Sequence, residues 1–301
     1  MAMNTRQRGV LHGFSVDVED WFHIIDCDGA PDPANWTAQE DRVAHGTTRL
    51  LDLLDSHGHK ATFFILGWIA ERHPELVGEI ARRGHELGSH SYAHGMVHAQ
   101  DRDEFTRDLD RSIEAITRAS GAPVTAFRAP GFSIGNAQNW AFEVLASRGI
   151  ELDASLFLAQ RAHGGYALER SGPFELVLAN GRRIIEVPII PWSPVPAASR
   201  LALPYSGGGY LRLLPTPLLL RLYAAAERRG EPVITYLHPR EMDPRQPRMD
   251  LPPWRAFKYY VGLNGVRTKL DQLFGRFRFG TLSEVAGATP LQAPVHLPAA
   301  A

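Results

Sequence analysis

Along the first strand-like stretch, Phe14, Val16 and Val18 alternate with Ser15, Asp17 and Glu19. This is the period-two pattern of a strand with an apolar and a polar face. A helix is predicted over 47–56, stopped by Gly58, and the apolar run 61–66 reads as a buried strand. Ile69, Leu76, Val77 and Ile80 share a helical face, so the pattern predicts a helix over 69–83 that ends at Gly84. Strand and helix then keep alternating: a short strand over 86–89, a helix over 101–119, a strand over 124–128, a helix over 136–148 and a strand over 150–154. Further on, 182–187 reads as half of a hairpin, 215–229 as a helix and 232–237 as a strand.

Repeated strand–helix units at this spacing favour a parallel sheet, either closed as a barrel or open and doubly wound. Two segments break the rhythm. Residues 155–210 are rich in Pro and Gly, including Pro188, Pro191, Pro194, Pro196 and Gly207-Gly208-Gly209, which suggests a long excursion containing the hairpin. Residues 239–256 are rich in Pro and Arg. The expected organisation is one domain over 10–285, made of a core over 10–240 and an extension over 241–285. Tails are expected at 1–9 and 286–301.

Composition narrows the chemistry. The chain has 301 residues, 44% hydrophobic and 22% charged, enough for a large buried core. A formal net charge of −1 gives no global field to draw it to nucleic acid or to an anionic surface. Cys27 is the only cysteine, which excludes an intramolecular disulfide, a cysteine-rich zinc site and an iron–sulfur cluster. Any metal must therefore use His and carboxylates. The polar start leads into the first strand without a signal-peptide pattern, and no later segment has the length of a membrane span, so a cytoplasmic location is the expectation.

The candidate chemistry gathers at strand ends. His90 and His94 stand four apart after the strand at 86–89, and on a helix both rings could reach one ion. Alone this is a weak signal in a chain with 13 His. Each strand-like segment, however, ends in a polar cluster: Asp17-Val18-Glu19-Asp20, His90 to His94, Arg128-Ala129-Pro130-Gly131-Phe132, Asp153, and His238-Pro239-Arg240-Glu241. In parallel α/β folds the loops at the C-terminal ends of strands converge on the active site.

Over roughly residues 10–240 the motif order and spacing resemble the polysaccharide deacetylases, carbohydrate esterase family four. His90-Ser91-Tyr92-Ala93-His94 is similar to that family's H-[ST]-x-x-H motif, Arg128-Ala129-Pro130 to R-x-P, Asp153 to its fourth-motif aspartate, and Leu237-His238 to L-x-H. The resemblance implies a distorted, incomplete (β/α) barrel of about seven parallel strands, with a hairpin excursion and a C-terminal extension. It implies removal of N-acetyl groups from a glycan containing N-acetylhexosamine. The Asp17 to Trp21 opening, the Gly207 to Tyr210 run and the segment from Tyr259 to Phe279 look like the branch associated with bacterial exopolysaccharide and exosortase gene clusters. In one respect the chain departs from the family, which opens with two adjacent aspartates, a base and a metal ligand. Here Asp17 is followed by Val18; on a strand Asp17 and Glu19 face the same way, which favours Glu19 as the ligand, with Asp20 as the alternative if the strand ends early.

Residue chemistry supports the same reading. Two His and one carboxylate leave a zinc-like ion with open positions, as in catalytic sites; cobalt and nickel suit the same donors. Asp17 could take the proton of an attacking water, with Arg128 pairing to fix its geometry. A backbone N–H at Gly131 or Phe132 could hold the oxyanion. His238, its ring oriented by Asp153, could protonate the leaving nitrogen. Trp21, Phe22, Phe132, Trp192 and Tyr210 are candidates for stacking on sugar, and most aromatics so scattered belong to a core. His98 reads as a surface residue, and the arginines at 240, 245, 248 and 255 as a solvated face. The competing readings are hydrolysis of a small non-glycan amide on the same scaffold, a carbohydrate-binding protein without catalysis, and a structural metal site.

Overall fold

The structure, a computed structural model, describes residues 9–25, 27, 29–159, 164–166, 168–192 and 203–298. The chain opens with β1 (Leu11–Val18), α1 (Val43–His57) and β2 (Thr62–Ile65). Next come α2 (Gly67–Arg72), α3 (Pro74–Arg82), β3 (Glu86–Ser89), α4 (Arg102–Ser120), β4 (Ala126–Phe127), α5 (Trp140–Ser147) and β5 (Leu152–Asp153). β6 (Phe174–Val177) and β7 (Arg183–Glu186) form the hairpin, followed by α6 (Gly208–Leu213), α7 (Thr216–Arg229) and β8 (Ile234–Leu237). The C-terminal part adds α8 (Pro253–Tyr260), α9 (Val266–Arg276), β9 (Arg278–Gly280), α10 (Leu282–Ala288) and β10 (Gln292–His296).

Seven strands in the order β7-β5-β4-β3-β2-β1-β8 run parallel. β8 pairs with β1 and not with β7, so the ring is incomplete on that side, where Gly207 bridges to Tyr236. The expected incomplete (β/α) barrel is the observed fold. β6 pairs antiparallel with β7 and carries β10 on its far edge.

The strands alternate between two apolar clusters. Phe63 of β2 packs outward with Leu50, Leu54 and Ile69 of the helices, whereas Phe64 packs inward with Ala126, Leu152 and Ile234. Leu282, Val285 and Ala286 of α10 join the inner cluster and plug the end where β1 begins. β1 is buried on both faces, so its polar alternation faces the barrel interior rather than water.

Several expected boundaries shift for local reasons. The helix expected over 69–83 is two helices, because Pro74 has no N–H to donate and His73, with ψ at 55°, is pushed out of helical geometry before it. The stretch expected to be a tail from 286 instead completes α10 and forms β10, paired in parallel with β6. Pro294 is tolerated there because the strand lies on an edge and its register shifts between Gln292 and Val295. Of the tail expected over 1–9, only Gly9 lies within the described residues.

Register fixes where the chemistry sits. Val18 pairs with Ile65, Ile65 with Ser89, Ser89 with Phe127, Phe127 with Asp153, and Asp153 with Glu186. The residues that follow these partners therefore emerge side by side at one edge: Glu19, His90, Arg128 and Ala154. Val16 pairs with Leu237, which brings His238 to the same rim.

Candidate active site

β1 ends at Val18, and the Glu19 N–H turns back to the Asp17 carbonyl at 2.9 Å. The strand thus ends early, yet Glu19 and not Asp20 enters the site. Glu19 Oε1 lies 3.1 Å from His90 Nε2 and 2.9 Å from His94 Nε2. Asp20, the alternative carboxylate, is spent elsewhere: it accepts the N–H groups of Trp21 at 2.7 Å, Arg42 at 2.8 Å and Val43 at 3.0 Å, capping the start of α1. Burial pushes its pKa up to about 6 despite these bonds.

The two histidines do not share a helix, contrary to the sequence expectation. They lie on an irregular loop in which Ser91 has φ 68° and His94 φ 57°. Asp108 of α4 holds that loop by accepting the N–H groups of Tyr92 at 2.8 Å and Ala93 at 3.2 Å, and Ser112 donates to the Ser91 carbonyl at 3.0 Å. With Phe132 at φ 55°, these are the non-glycine residues of positive φ among the described residues, and all three border the site. Each such conformation costs on the order of 1–3 kcal/mol and persists only where its surroundings impose it.

His90 Nδ1 lies 2.8 Å from the Arg128 carbonyl. A carbonyl can only accept, so Nδ1 carries a proton and the other ring nitrogen, Nε2, is the one that faces the Glu19 oxygen. His94 Nε2 is buried with no hydrogen-bond partner. Two imidazole nitrogens thus converge on one carboxylate oxygen, an arrangement that suits a cation held among them. The donor set Glu19, His90 and His94 fits a divalent ion with open coordination positions. Asp17, Glu19 and His238 form a second, looser set, but His238 Nε2 is 4.0 Å from Asp17 Oδ2 and 3.8 Å from Glu19 Oε1. Burial raises the Glu19 pKa, but His94, His238 and His90 outweigh it and hold the carboxyl well below its usual range.

Asp17 is gripped from inside the barrel. Arg128, fully buried, donates from one terminal nitrogen to Asp17 Oδ1 at 2.8 Å and to Ser15 Oγ at 2.8 Å, and from Nε to the Ala154 carbonyl at 3.2 Å. That leaves Asp17 Oδ2 on the side of His238. Asp153 does not touch His238. Its carboxylate accepts from the Ser155 N–H at 3.0 Å and hydroxyl at 2.7 Å and neighbours buried Glu186. Ser155 in turn accepts the Ala129 N–H at 2.8 Å, so Asp153 braces the Arg128 loop.

Glu241 holds the position expected of Asp153. Its Oε2 accepts the His238 N–H at 2.7 Å and lies 3.5 Å from His238 Nδ1. Burial lowers the His238 pKa, but Glu19 and Glu241 raise it more, so the net shift favours the protonated ring. The signal for Glu241 is in the sequence: an acid three residues after His238, across a proline-started turn, is a capping-box spacing.

A cavity of about 380 Å³ opens over Asp17, Glu19, His90, His94 and His238. Gly131 and Phe132 both line it; the Phe132 N–H is committed to the Ala129 carbonyl at 3.0 Å, which leaves Gly131 as the candidate oxyanion donor. Of the five aromatics offered for stacking, Phe132 lines the cavity, while Trp21 and Phe22 are buried beside Trp36. Tyr236 and Tyr259, not singled out from sequence, line it too. His98 is exposed, as expected.

Residues 34–150 match the polysaccharide deacetylase family, and residues 154–287 match a domain of unknown function, DUF3473. Over 34–150 the chain is similar to the polysaccharide deacetylases. It is 37% identical over 98 residues to a peptidoglycan-N-acetylglucosamine deacetylase of Bacillus cereus, covering 32% of this chain and 36% of that protein. It is also 37% identical over 75 residues to a chitooligosaccharide deacetylase of Rhizobium leguminosarum bv. trifolii, covering 25% of this chain and 35% of that protein. The chain thus matches about a third of the length of each of these relatives. A crystal structure from Mycobacterium smegmatis, assigned to the polysaccharide deacetylases, superposes with a TM-score of 0.61 at 20% identity, covering 98% of this chain and 97% of that one. That similarity supports the barrel as the shared fold. No helix among the described residues is long and apolar enough to cross a membrane.

Proposed function

We propose that this protein is a metal-dependent hydrolase that removes N-acetyl groups from N-acetylhexosamine units of a bacterial polysaccharide or its oligosaccharide precursor, releasing acetate. The observation that carries the reading is the single Glu19 oxygen facing His90 and His94 at 3.1 and 2.9 Å, with Asp17 and His238 on its flank. An ion held by Glu19, His90 and His94, with zinc the first choice of metal, supplies Lewis acidity to the acetamide carbonyl and makes a water there more acidic.

The chain's own groups do the rest. Asp17 Oδ2 accepts the proton of the attacking water, while Arg128 keeps Oδ1 occupied and the carboxylate in place. The Gly131 N–H steadies the oxyanion, a donor whose loss typically costs about 2.7–4 kcal/mol of barrier. His238 Nε2, with Glu241 behind the ring at Nδ1, delivers a proton to the departing amine. Asp153 acts through Ser155 on the Arg128 loop and is a positioning residue. The resemblance to the exopolysaccharide-associated branch supports an export glycan as the natural substrate.

The test is acetate release from N-acetylhexosamine oligosaccharides by metal-stripped protein, before and after zinc or cobalt is returned. The expected outcome is metal-restored turnover that falls by at least about 100-fold in Asp17→Asn and His90→Ala. Equal turnover in Asp17→Asn and the parent would remove Asp17 from the mechanism. Silence from a protein that binds the oligosaccharides would leave a binding module instead.

A further inference from the structure

The wall of the cavity beside His238 is built from the region that matches the domain of unknown function, and it carries charge that the deacetylation chemistry does not use. Arg240 and Tyr259 both line the cavity. The Arg240 guanidinium carbon sits 4.5 Å from the centre of the Tyr259 ring, and its buried Nε has no hydrogen-bond partner. Among the described residues no carboxylate lies within ion-pair distance of Arg240. Its neighbour Glu241 turns instead to His238 and to buried Arg212, whose Nε is 3.8 Å from Glu241 Oε1. A half-buried guanidinium that forms no ion pair among the described residues and faces a ligand cavity suits an anion from the ligand.

The same chemistry continues outward. α8 buries no side chain, and its end is tied down by Arg212, which donates to the Lys258 carbonyl at 2.8 Å and to the Tyr259 carbonyl. Its outer surface presents Trp254, 57% exposed, with Lys258 Nζ 4.9 Å from a Trp254 ring centre. Arg248 lies 4.9 Å from the Tyr260 ring in the same manner. Among the described residues neither Lys258 nor Arg248 forms an ion pair. Aromatic faces suit the apolar faces of pyranose rings, and cations beside them suit acidic substituents.

Position within the site says which part of a substrate this wall meets. Arg240 follows His238 by two residues and lines the same cavity, so it stands on the side of the acid that meets the departing amine. That is the side of the sugar, opposite the acetyl group. Asp17 and Glu19 would repel an acidic chain from the cavity, and Arg240 offsets that repulsion.

We propose that the Arg240–Tyr259 wall, continued by α8, reads a carboxylate next to the acetylated sugar, so that the substrate is an acidic glycan in which a hexuronate adjoins the N-acetylhexosamine. The assignment rests on the deacetylase reading only for the acetyl group. Arg240 forms a two-pronged pair with the carboxylate, Tyr259 and Trp254 underlie sugar rings, and Lys258 and Arg248 follow the charge along the chain.

The test uses an alternating glucuronate–N-acetylglucosamine oligosaccharide and the same oligosaccharide with its carboxylates reduced to alcohols. Affinity for each is measured by calorimetry on the parent, Arg240→Gln and Arg240→Lys, with acetate release followed in parallel. The expected result is a roughly tenfold preference of the parent for the acidic oligosaccharide, lost in Arg240→Gln and partly kept in Arg240→Lys. Equal affinities in the parent would overturn the proposal, as would a preference that survives in Arg240→Gln. Loss of both ligands together with a lowered melting temperature in Arg240→Gln and Arg240→Lys would likewise make Arg240 structural and end it. A charge preference without acetate release would uphold the wall and retire the deacetylase reading, and acetate release without charge preference would do the reverse.

Discussion

Glu241 lies beneath His238 and is 1% exposed. Burial raises its pKa, but the His238 bond and charge, with Arg212 and Arg240, outweigh that and hold it at about 2, below the ordinary 4.5. A carboxyl depressed in the folded state adds stability that is fully present above pH 4.5 and is lost as pH falls toward 2. Glu241→Gln should therefore destabilise the protein by on the order of 2–3 kcal/mol near neutrality. The gap to the parent should close as pH falls through that window, as denaturant titrations at several pH values will show. The same change removes one of the two charges that raise the His238 pKa, so the alkaline limb of the pH–rate profile should move to lower pH. An unmoved limb would detach Glu241 from the acid. At this scale the sequence is readable where a residue's role follows from its type. Glu19 over Asp20 came from strand parity. The pairing of Arg128 with Asp17 came from charge. The carboxylate behind His238 is Glu241 and not Asp153; the capping-box spacing offers Glu241, but only the packing of the turn shows that it meets the ring.

The turn Pro239–Met242 that carries His238 and Glu241 is pressed between two helices that meet it through glycine. A Cβ at Gly46 of α1 would lie 2.1 Å from the Pro239 carbonyl oxygen, and one at Gly208 of α6 would lie 2.1 Å from Glu241 Oε1. Backbone cannot yield as a flexible side chain can. Gly46→Ala should therefore push the turn outward, costing about 1–3 kcal/mol of stability and lowering kcat, while zinc affinity stays near that of the parent, since Glu19, His90 and His94 lie on other elements. Zinc titration beside turnover checks it, and an equal loss of both would show that the site moves as one block. Element boundaries were least legible where tertiary contacts override local preference. Pro74 announced a break that the apolar face of 69–83 concealed. β10 has a tail-like composition and becomes a strand only because β6 offers it an edge. The His90–His94 loop keeps helical spacing without helical structure because α4 holds its N–H groups through Asp108.

At the scale of the whole molecule, the barrel turns scattered sequence into one site: each strand end advances to the next in register, so that residues from 17 to 259 meet around one cavity. The two matched regions each contribute, since His90, His94 and Arg128 fall within 34–150 and His238, Arg240 and Tyr259 within 154–287. Neither region alone would hold all of the proposed ligand, base and acid groups. Because Glu19 and the histidines come from β1 and the loop after β3, an ion that joins them cross-links the barrel in its folded form only, and binding should register as stability. At about 100 times its Kd, zinc should stabilise the fold by about 2.7 kcal/mol. For a chain of this size that is a rise in Tm of roughly 4 °C. Chelation should reverse the rise, and His90→Ala should abolish it, whereas Asp17→Asn should retain most of it, because Asp17 is paired with Arg128 rather than needed as a ligand. A melting temperature indifferent to zinc in the parent would separate the histidine pair from metal binding altogether. A rise retained in His90→Ala and lost in Asp17→Asn would instead move the ion to the Asp17, Glu19 and His238 set, and with it the roles of base and acid.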